Sequence, residues 1–92
     1  MGNKKRNRLE VIYDILTVIK QKNGTIKPTH ILYKSNLSYA MMEEYLAELL
    51  EKEFIRAQVK DGKKTYAITE KGIQYLDKYR LITEFSESFG LG

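Results

Sequence analysis

Hydrophobic residues recur every three or four positions over residues 8–22, and this spacing predicts a first helix with one broad apolar face. Asn7 precedes the helix and Glu10 follows three residues later, which is the spacing of a capping box. Asn23-Gly24 marks the end of the helix. The predicted apolar face consists of Leu9, Ile12, Tyr13, Ile15, Leu16 and Ile19.

The next part of the chain predicts two helices joined by a short turn, over about residues 28–35 and 39–52. Pro28 closes a short β-prone segment and opens the first of these helices, because its fixed φ suits a first helical position. Asn36-Leu37 forms the turn, and Ser38 caps the following helix. Two helices joined by a turn that contains an apolar residue are typical of a helix-turn-helix.

After the third helix the pattern changes to alternation, which predicts two strands, Phe54–Lys60 and Thr65–Ile68. The four residues between them begin with Asp61-Gly62, a strong hairpin dipeptide. A fourth helix follows over about residues 70–88, capped by Thr69. The predicted fold class is therefore mainly α with a small β-hairpin (α+β): a winged helix-turn-helix followed by a long C-terminal helix.

This order divides the chain into four parts. We expect a basic N-terminal arm at residues 1–7, the winged helix-turn-helix domain at residues 8–69, a C-terminal dimerisation helix at residues 70–88 and a frayed tail at residues 89–92. The fourth helix is long and apolar for so small a domain to cover alone. We therefore expect two copies to bury one stripe in a homodimer, the alternative being a helix folded back on its own domain. The stripe consists of Ile73, Leu76, Tyr79, Ile82 and Phe85.

Composition narrows the chemistry of this 92-residue chain. Because it has no cysteine, disulfide scaffolds, thiolate zinc sites, iron–sulfur clusters and thiol nucleophiles are excluded. His30 is the single histidine and has no second His or Cys to join it, so we predict neither a metal site nor a cofactor. No apolar run approaches the roughly 20 residues that span a bilayer. We expect a cytoplasmic, non-enzymatic protein without a membrane partner.

Charge points to a polyanion. Sixteen Lys and Arg residues against twelve Asp and Glu give a net charge of +4. Residues 1–37 and residues 54–72 are basic, whereas residues 38–53, which include the third helix, are acidic. Two basic segments thus flank an acidic one.

Several stretches resemble a known family. Ile68-Thr69-Glu70-Lys71-Gly72 resembles the "(L/I)T-x-K-G" motif that closes many prokaryotic winged-helix domains. Leu9–Ile12 and Thr29–Tyr39 resemble a group of small archaeal winged-helix proteins that bind DNA and associate with chromatin. The resemblance covers about residues 7–80. It implies dimerisation through an antiparallel coiled coil of the C-terminal helix, and DNA binding directed largely to the backbone, in an archaeal nucleoid.

Candidate DNA contacts lie on the arm, around the second and third helices and on the hairpin. We expect the hairpin lysines to lie along a DNA backbone, the arm to follow phosphates or a minor groove, and the N-terminus of the third helix to approach a phosphate. The alternative for each basic segment is a solvated surface. The candidates are Lys4, Lys5, Arg6, Arg8, Lys27, His30, Lys34, Ser38, Tyr39, Arg56, Lys60, Lys63 and Lys64.

The third helix departs from the family, which commonly carries Lys or Arg near the positions of Glu43 and Glu44. These acids either form a solvated face, dock a basic protein, or accept a hydrogen bond from a cytosine amino group. The predicted function is a dimeric winged-helix protein that contacts double-stranded DNA mainly through phosphates, as a transcriptional regulator or a nucleoid-associated protein. The alternative is a winged-helix protein-interaction module that uses the acidic face of the third helix without binding DNA.

Overall fold

A computed structural model describes residues 6–91 and confirms the predicted fold class. Its elements follow the predicted order, and the hairpin strands pair antiparallel. Ile26 adds an isolated bridge to Tyr66, so the short extended segment before Pro28 lies beside the hairpin. The elements are α1 (Arg8–Gln21), α2 (Pro28–Ser35), α3 (Tyr39–Glu51), β1 (Ile55–Lys60), β2 (Lys63–Ile68) and α4 (Glu70–Ser88).

The helices begin at the residues that the capping chemistry predicts. The Asn7 side chain accepts from the backbone N–H of Glu10, and the Glu10 carboxylate accepts from the N–H of Asn7, which completes the capping box. Ser38 and Thr69 cap α3 and α4 in the same way, through their hydroxyl oxygens. Each cap satisfies a donor that the first turn of a helix leaves unpaired.

The hairpin turn is shorter than predicted. Asp61 and Gly62 both have positive φ, 53° and 74°, as a two-residue type I′ turn requires. Lys63 and Lys64 therefore belong to β2, and the prediction of a four-residue turn is wrong. The first strand also starts later than predicted, because the N–H of Phe54 donates to the carbonyl of Leu49 and closes the end of α3.

One hydrophobic core joins all the elements. Its centre is the inner face of α1, where Ile15, Leu16 and Ile19 are fully buried. The other helices and the inner face of the hairpin pack around this face. The buried apolar residues outside α1 include Ile26, Ile31, Leu37, Met42, Leu46, Leu49, Ile55, Tyr66, Ile68 and Leu76.

The first turn of α4 lies tightly against the base of the hairpin. A Cβ atom at Gly72 would lie 2.5 Å from the carbonyl oxygen of Phe54 and 2.6 Å from Cγ1 of Ile68. Only glycine fits this approach. Farther along α4, Tyr79 stacks on Tyr13 of α1 with ring centroids 4.6 Å apart. The Tyr75 hydroxyl donates to the Leu9 carbonyl at 2.8 Å, so α4 is fixed against α1 along its first half.

The predicted stripe on α4 is divided between two roles. Leu76 is buried in the core, Ile73 packs against it, and Tyr79 lies on Tyr13. Ile82 and Phe85 are 68% and 65% exposed. Ile73, Leu76 and Tyr79 therefore already pack within this chain, and the predicted interface stays a prediction that depends on Ile82 and Phe85. The exposed part of α4 and the residues after it carry the apolar side chains Leu81, Ile82, Phe85, Phe89 and Leu91.

Candidate nucleic-acid interface

The hairpin lysines lie on two different faces. Lys60 pairs with Lys63 at the tip, and Val59 pairs with Lys64. Cross-strand partners share a face of the hairpin, and consecutive residues alternate between faces. Lys60 and Lys63 therefore lie on the outer face, which also carries Arg56, whereas Lys64 lies on the face toward α3. The sequence predicted that the hairpin tip is positively charged, but not that its lysines are divided between two faces.

Lys27, Lys60 and Lys63 meet in a surface groove, here called the hairpin groove. The bridge between Ile26 and Tyr66 brings the 25–27 segment beside β2, with the Tyr66 N–H donating to the Ile26 carbonyl at 3.1 Å. The Thr65 hydroxyl donates to the carbonyl of Gly24 at 3.1 Å and fixes the same segment. The groove is lined by Thr25, Lys27, Lys60, Asp61, Lys63 and Thr65.

A second groove, here called the interhelical groove, lies between the end of α1 and one face of α2. His30 and Lys34 are four residues apart, so they share one face of the helix. Lys22 stands opposite them, and its carbonyl accepts from both the N–H and the hydroxyl of Thr25. The groove is lined by Val18, Gln21, Lys22, Ile26, His30 and Lys34.

The two grooves lie on either side of the 25–27 segment and together form what we call the basic surface. Asp61 is the one acid among the residues that line them. Within residues 6–91, the ion pairs involve none of the basic residues that line these grooves. Their charge is therefore available to an external anion. The members of the basic surface are Lys22, Lys27, His30, Lys34, Lys60 and Lys63.

Arg6 has a structural role that the prediction of a DNA-binding arm missed. Its guanidinium donates to the Asp14 carboxylate at 2.6 Å and to the carbonyl of Ser35 at 2.7 Å. It also donates to the carbonyl of Asn36 at 3.1 Å. These bonds tie the start of α1 to the end of α2 and satisfy carbonyls that the helix leaves unpaired. The phosphate contact of Arg6 stays a prediction, although its guanidinium already has three acceptors within the chain.

Arg8 is also engaged within the chain. It donates to the carboxylate of Glu48 on α3, and its guanidinium carbon lies 5.7 Å from the centroid of the Tyr45 ring. The hydrogen bond and the charge of Glu48 raise the pKa of Arg8, and the same hydrogen bond lowers the pKa of Glu48. The predicted DNA contact of Arg8 stays a prediction, although Glu48 already matches its charge within the chain. Lys4 and Lys5 lie outside the described residues.

Lys64 does not join Lys60 and Lys63. Its ammonium lies 5.9 Å from the centroid of the Tyr66 ring. It lines a different groove, between the hairpin and α3, where Glu43 lies on the opposite side. A lysine facing a glutamate across a groove is less available to a phosphate than one among other lysines. Lys64 thus lies on another face than Lys60 and Lys63, and its contact with DNA stays a prediction.

The N-terminus of α3 keeps an exposed tyrosine but uses its serine internally. The Ser38 hydroxyl accepts from the N–H of Met41 at 3.2 Å, so it serves as a cap. The side chain of Tyr39 is exposed. Beyond it, Glu43, Glu44 and Glu51 are exposed, so α3 presents carboxylates on its outer face. The charge of a fourth acid of α3, the half-buried Glu48, is offset by Arg8 and, at 3.1 Å, by Lys52.

Lys22 is the basic residue that the sequence did not assign to the interface. Its position in the last turn of α1 suggested only a favourable interaction with the helix dipole. It comes close to α2 because the 22–25 turn reverses the chain, which the Asn23-Gly24 pair signals but does not orient. Within residues 6–91, no three His, Cys, Asp or Glu side chains converge to hold a metal ion, and no helix is long and apolar enough to cross a membrane.

Comparisons with known proteins agree with this architecture. A family model described as winged helix-turn-helix matches residues 5–87. The uncharacterized protein MJ0290 of the archaeon Methanocaldococcus jannaschii is 38% identical over 85% of this chain. The chain spans only 36% of that relative's length.

Two solved structures illustrate the shared fold. The DNA-binding protein Sso10a-2 of Sulfolobus solfataricus superposes with a TM-score of 0.73 and 23% identity, over 91% of this chain and 85% of that one. MepR of S. aureus, in a complex with DNA, superposes with a TM-score of 0.69 and 20% identity, over 92% of this chain and 61% of that one. At such identities the likeness shows the fold alone. The predicted resemblance to winged-helix proteins with archaeal relatives is confirmed.

Proposed function

Because the chain belongs to the winged helix-turn-helix family, we propose that it binds double-stranded DNA and contacts it mainly through phosphates. The basic surface carries this proposal. It gathers five lysines and one histidine from α2, the hairpin and the segment between α1 and α2 around two adjoining grooves. Lysines that neutralise phosphates would release the counterions held by the duplex, and this release favours association at low salt. Sso10a-2 and MepR, which share the fold, bind DNA.

The proposed contact surface differs from the one predicted from sequence. Arg6, Arg8 and Lys64 leave it, because each already faces an acid or an aromatic ring within the chain. Lys22 joins it. Arg56 and Tyr39 remain proposed contacts, since both are exposed and Arg56 shares the outer face of the hairpin. Such a surface binds with modest sequence preference, because phosphate contacts position a protein without reading bases.

We also propose that two copies pair through the exposed part of α4. The apolar side chains there are uncovered, and Phe85 and Phe89 already pack together with ring centroids 4.9 Å apart. Burying them in a two-fold helix pair would remove this apolar area from water and place two basic surfaces on one duplex. The dimerisation helix would then be the second half of α4, while its first half belongs to the winged domain. The cytoplasm or nucleoid is the proposed location, where the protein would act as a regulator or as a DNA-organising protein.

The direct test is fluorescence anisotropy of a labelled 30-base-pair duplex over a series of salt concentrations. We expect tight binding at low salt and a linear fall of log K with log salt. The variant K60Q/K63Q should flatten that slope by about 1.8 for each protomer in contact, since each lost phosphate contact removes about 0.9. The matched control K20Q/K78Q removes two exposed lysines elsewhere and should leave the slope unchanged. Absence of binding at low salt would overturn the proposal.

A second function is favoured by one observation at α3. The groove beside Tyr45 is lined by Arg8, Met41, Glu44 and Glu48, and the guanidinium of Arg8 sits against both the ring and a carboxylate. This is the chemistry by which a protein surface takes up arginine side chains. If duplex binding is absent, a basic protein partner at the acidic face of α3 becomes the proposal.

A further inference from the structure

The interhelical groove has a property that a phosphate-binding surface does not require. Its floor is apolar: Ile26 is 1% exposed and Val18 is half-buried beside it. Its rim carries the two lysines Lys22 and Lys34, with the imidazole of His30 beside Lys34. Gln21 supplies an amide at the same rim. Of the residues that line the groove, none is acidic. Small-molecule sites combine an apolar wall with a few converging polar groups in this way.

The groove is built before any ligand arrives. The Lys22 carbonyl accepts two hydrogen bonds from Thr25, at 2.8 Å from the N–H and 2.9 Å from the hydroxyl. The Asn23 side chain accepts from the N–H of Ile68 at 2.9 Å, which anchors the same turn to β2. Two walls held by such bonds keep their separation, so binding would cost little ordering of the backbone.

Size and charge together indicate the ligand. The groove has a volume of about 140 Å³, close to that of a cavity of about 150 Å³ that holds benzene. An inorganic or DNA phosphate would use the rim and leave the floor uncovered. A small organic anion would use both, with its apolar body on Val18 and Ile26 and its charge at the lysines. We propose that the interhelical groove binds a small organic carboxylate with a body of about one ring.

The consequence for DNA rests on the proposed function. Lys22, His30 and Lys34 belong to the basic surface, so a carboxylate held there would neutralise the rim that a DNA phosphate would otherwise contact. Ligand and duplex would then compete for the same cations. By linkage, each would weaken the binding of the other by the same factor.

The test titrates the isotope-labelled protein with benzoate, without DNA, and follows amide and methyl shifts by NMR. We expect saturable shifts at residues 18, 21, 22, 26, 30 and 34. Benzyl alcohol, which has the ring without the charge, should bind at least tenfold more weakly. Inorganic phosphate should shift the rim amides but not the methyl groups of Val18 and Ile26. Non-saturable benzoate shifts, or equal shifts at Lys60 and Lys63, would overturn the proposal.

Two variants separate a built site from general attraction of anions. K22Q/K34Q removes two exposed rim charges and should weaken benzoate binding at least tenfold while the spectrum remains that of a folded protein. K60Q/K63Q removes the same charge from the neighbouring groove and should change benzoate affinity less than twofold. Equal weakening by both variants would show attraction by net charge alone and would contradict the site.

A duplex titration in saturating benzoate then tests the competition. We expect at least a threefold loss of DNA affinity relative to the same concentration of chloride. If the protein binds no DNA, the benzoate titration still reports on the groove, so the two proposals fail separately. If it binds DNA and benzoate at once without mutual effect, the shared rim is contradicted.

Discussion

Arg8 and Glu48 form an ion pair that joins the first turn of α1 to the outer side of α3, forty residues farther along the chain. Arg8, which the sequence suggested as a DNA contact, is thus paired with Glu48, a carboxylate that would otherwise repel DNA phosphates. Tyr45 lies beneath the guanidinium and holds it in place. The start of α1 is thereby tied to the acidic helix, and the lysines left for an external anion line the other grooves.

The first prediction compares two variants, each of which removes one positive charge. R8Q should leave the salt slope of duplex binding unchanged, because Arg8 is already paired with Glu48. K27Q should flatten the slope by about 0.9 per bound protomer, because Lys27 lies at the centre of the basic surface. Anisotropy titrations over a salt series measure both. An equal effect of the two variants would place Arg8 at the DNA as well.

The second prediction concerns the acids of α3. E43Q/E44Q removes two exposed carboxylates without changing side-chain size and should tighten duplex binding at least threefold at low salt, an advantage that fades as salt screens the charges. E51Q, at the far end of the same helix, is the control and should have a smaller effect. Weaker binding in E43Q/E44Q, with a lost preference for cytosine, would instead show that these glutamates read bases.

The third prediction tests pairing through α4. I82E/F85E places charges on the exposed apolar face and should give a monomer by light scattering, while the wild type has the mass of a dimer. Thermal stability of each folded domain should change little, since both residues are exposed. K78E, on the exposed side of the same helix, should remain dimeric. A monomeric wild-type protein at micromolar concentration would contradict the pairing.

The fourth prediction concerns the close approach at Gly72. G72A should lower the free energy of unfolding by about 1–3 kcal/mol, because the added Cβ must push away the backbone oxygen of Phe54 and Cγ1 of Ile68. Urea denaturation measures this change. Q74A, an exposed replacement in the same helix, should shift stability by less than about 0.5 kcal/mol. A G72A protein as stable as the wild type would mean that the two elements separate readily.

The fifth prediction uses the phenol of Tyr75. Burial raises the pKa of Tyr75 from its ordinary value of 10.0 to about 12. Above pH 10 the phenol ionises in the unfolded chain before it ionises in the folded one. Its contribution to stability is therefore complete below pH 10 and is lost as the pH rises toward 12. Melting temperatures of the wild type should fall more steeply over this interval than those of Y75F, and parallel curves would contradict the assignment.

The parts of the fold that follow from neighbouring residues were predictable. The capping box at Asn7, the cap at Ser38 and the turn at Asp61-Gly62 depend on chemistry within four residues. Even there, the length of the hairpin turn was missed, because Lys63 is polar and looked like part of a loop. Polar residues are common in a strand that is exposed at its tip, so polarity alone does not end a strand.

The site was less predictable, because its composition depends on contacts between distant parts of the chain. Arg6 and Arg8 look like free cations in the sequence, and only the folded chain brings Asp14, the end of α2 and Glu48 to them. Periodicity likewise showed that α4 has an apolar stripe, but not that α1 covers its first half. A hydrophobic pattern indicates how much apolar surface must be buried, but not which element or which partner chain buries it.

The part of α4 that extends beyond the winged domain would set the distance between the two winged domains of a dimer. The eight residues Leu81–Ser88 make up about 12 Å of helix, at about 1.5 Å per residue. Shifting one such helix along the other by one turn would move the two winged domains by about 5.4 Å relative to each other. Successive major grooves on one side of a duplex are spaced by about 34–36 Å. Which of Ile82, Phe85 and Phe89 meet across the two-fold axis would thus select the spacing of DNA sites that both winged domains can reach. A few aromatic and aliphatic side chains, far from any phosphate, would thus determine which spacing of DNA sites a dimer can bind.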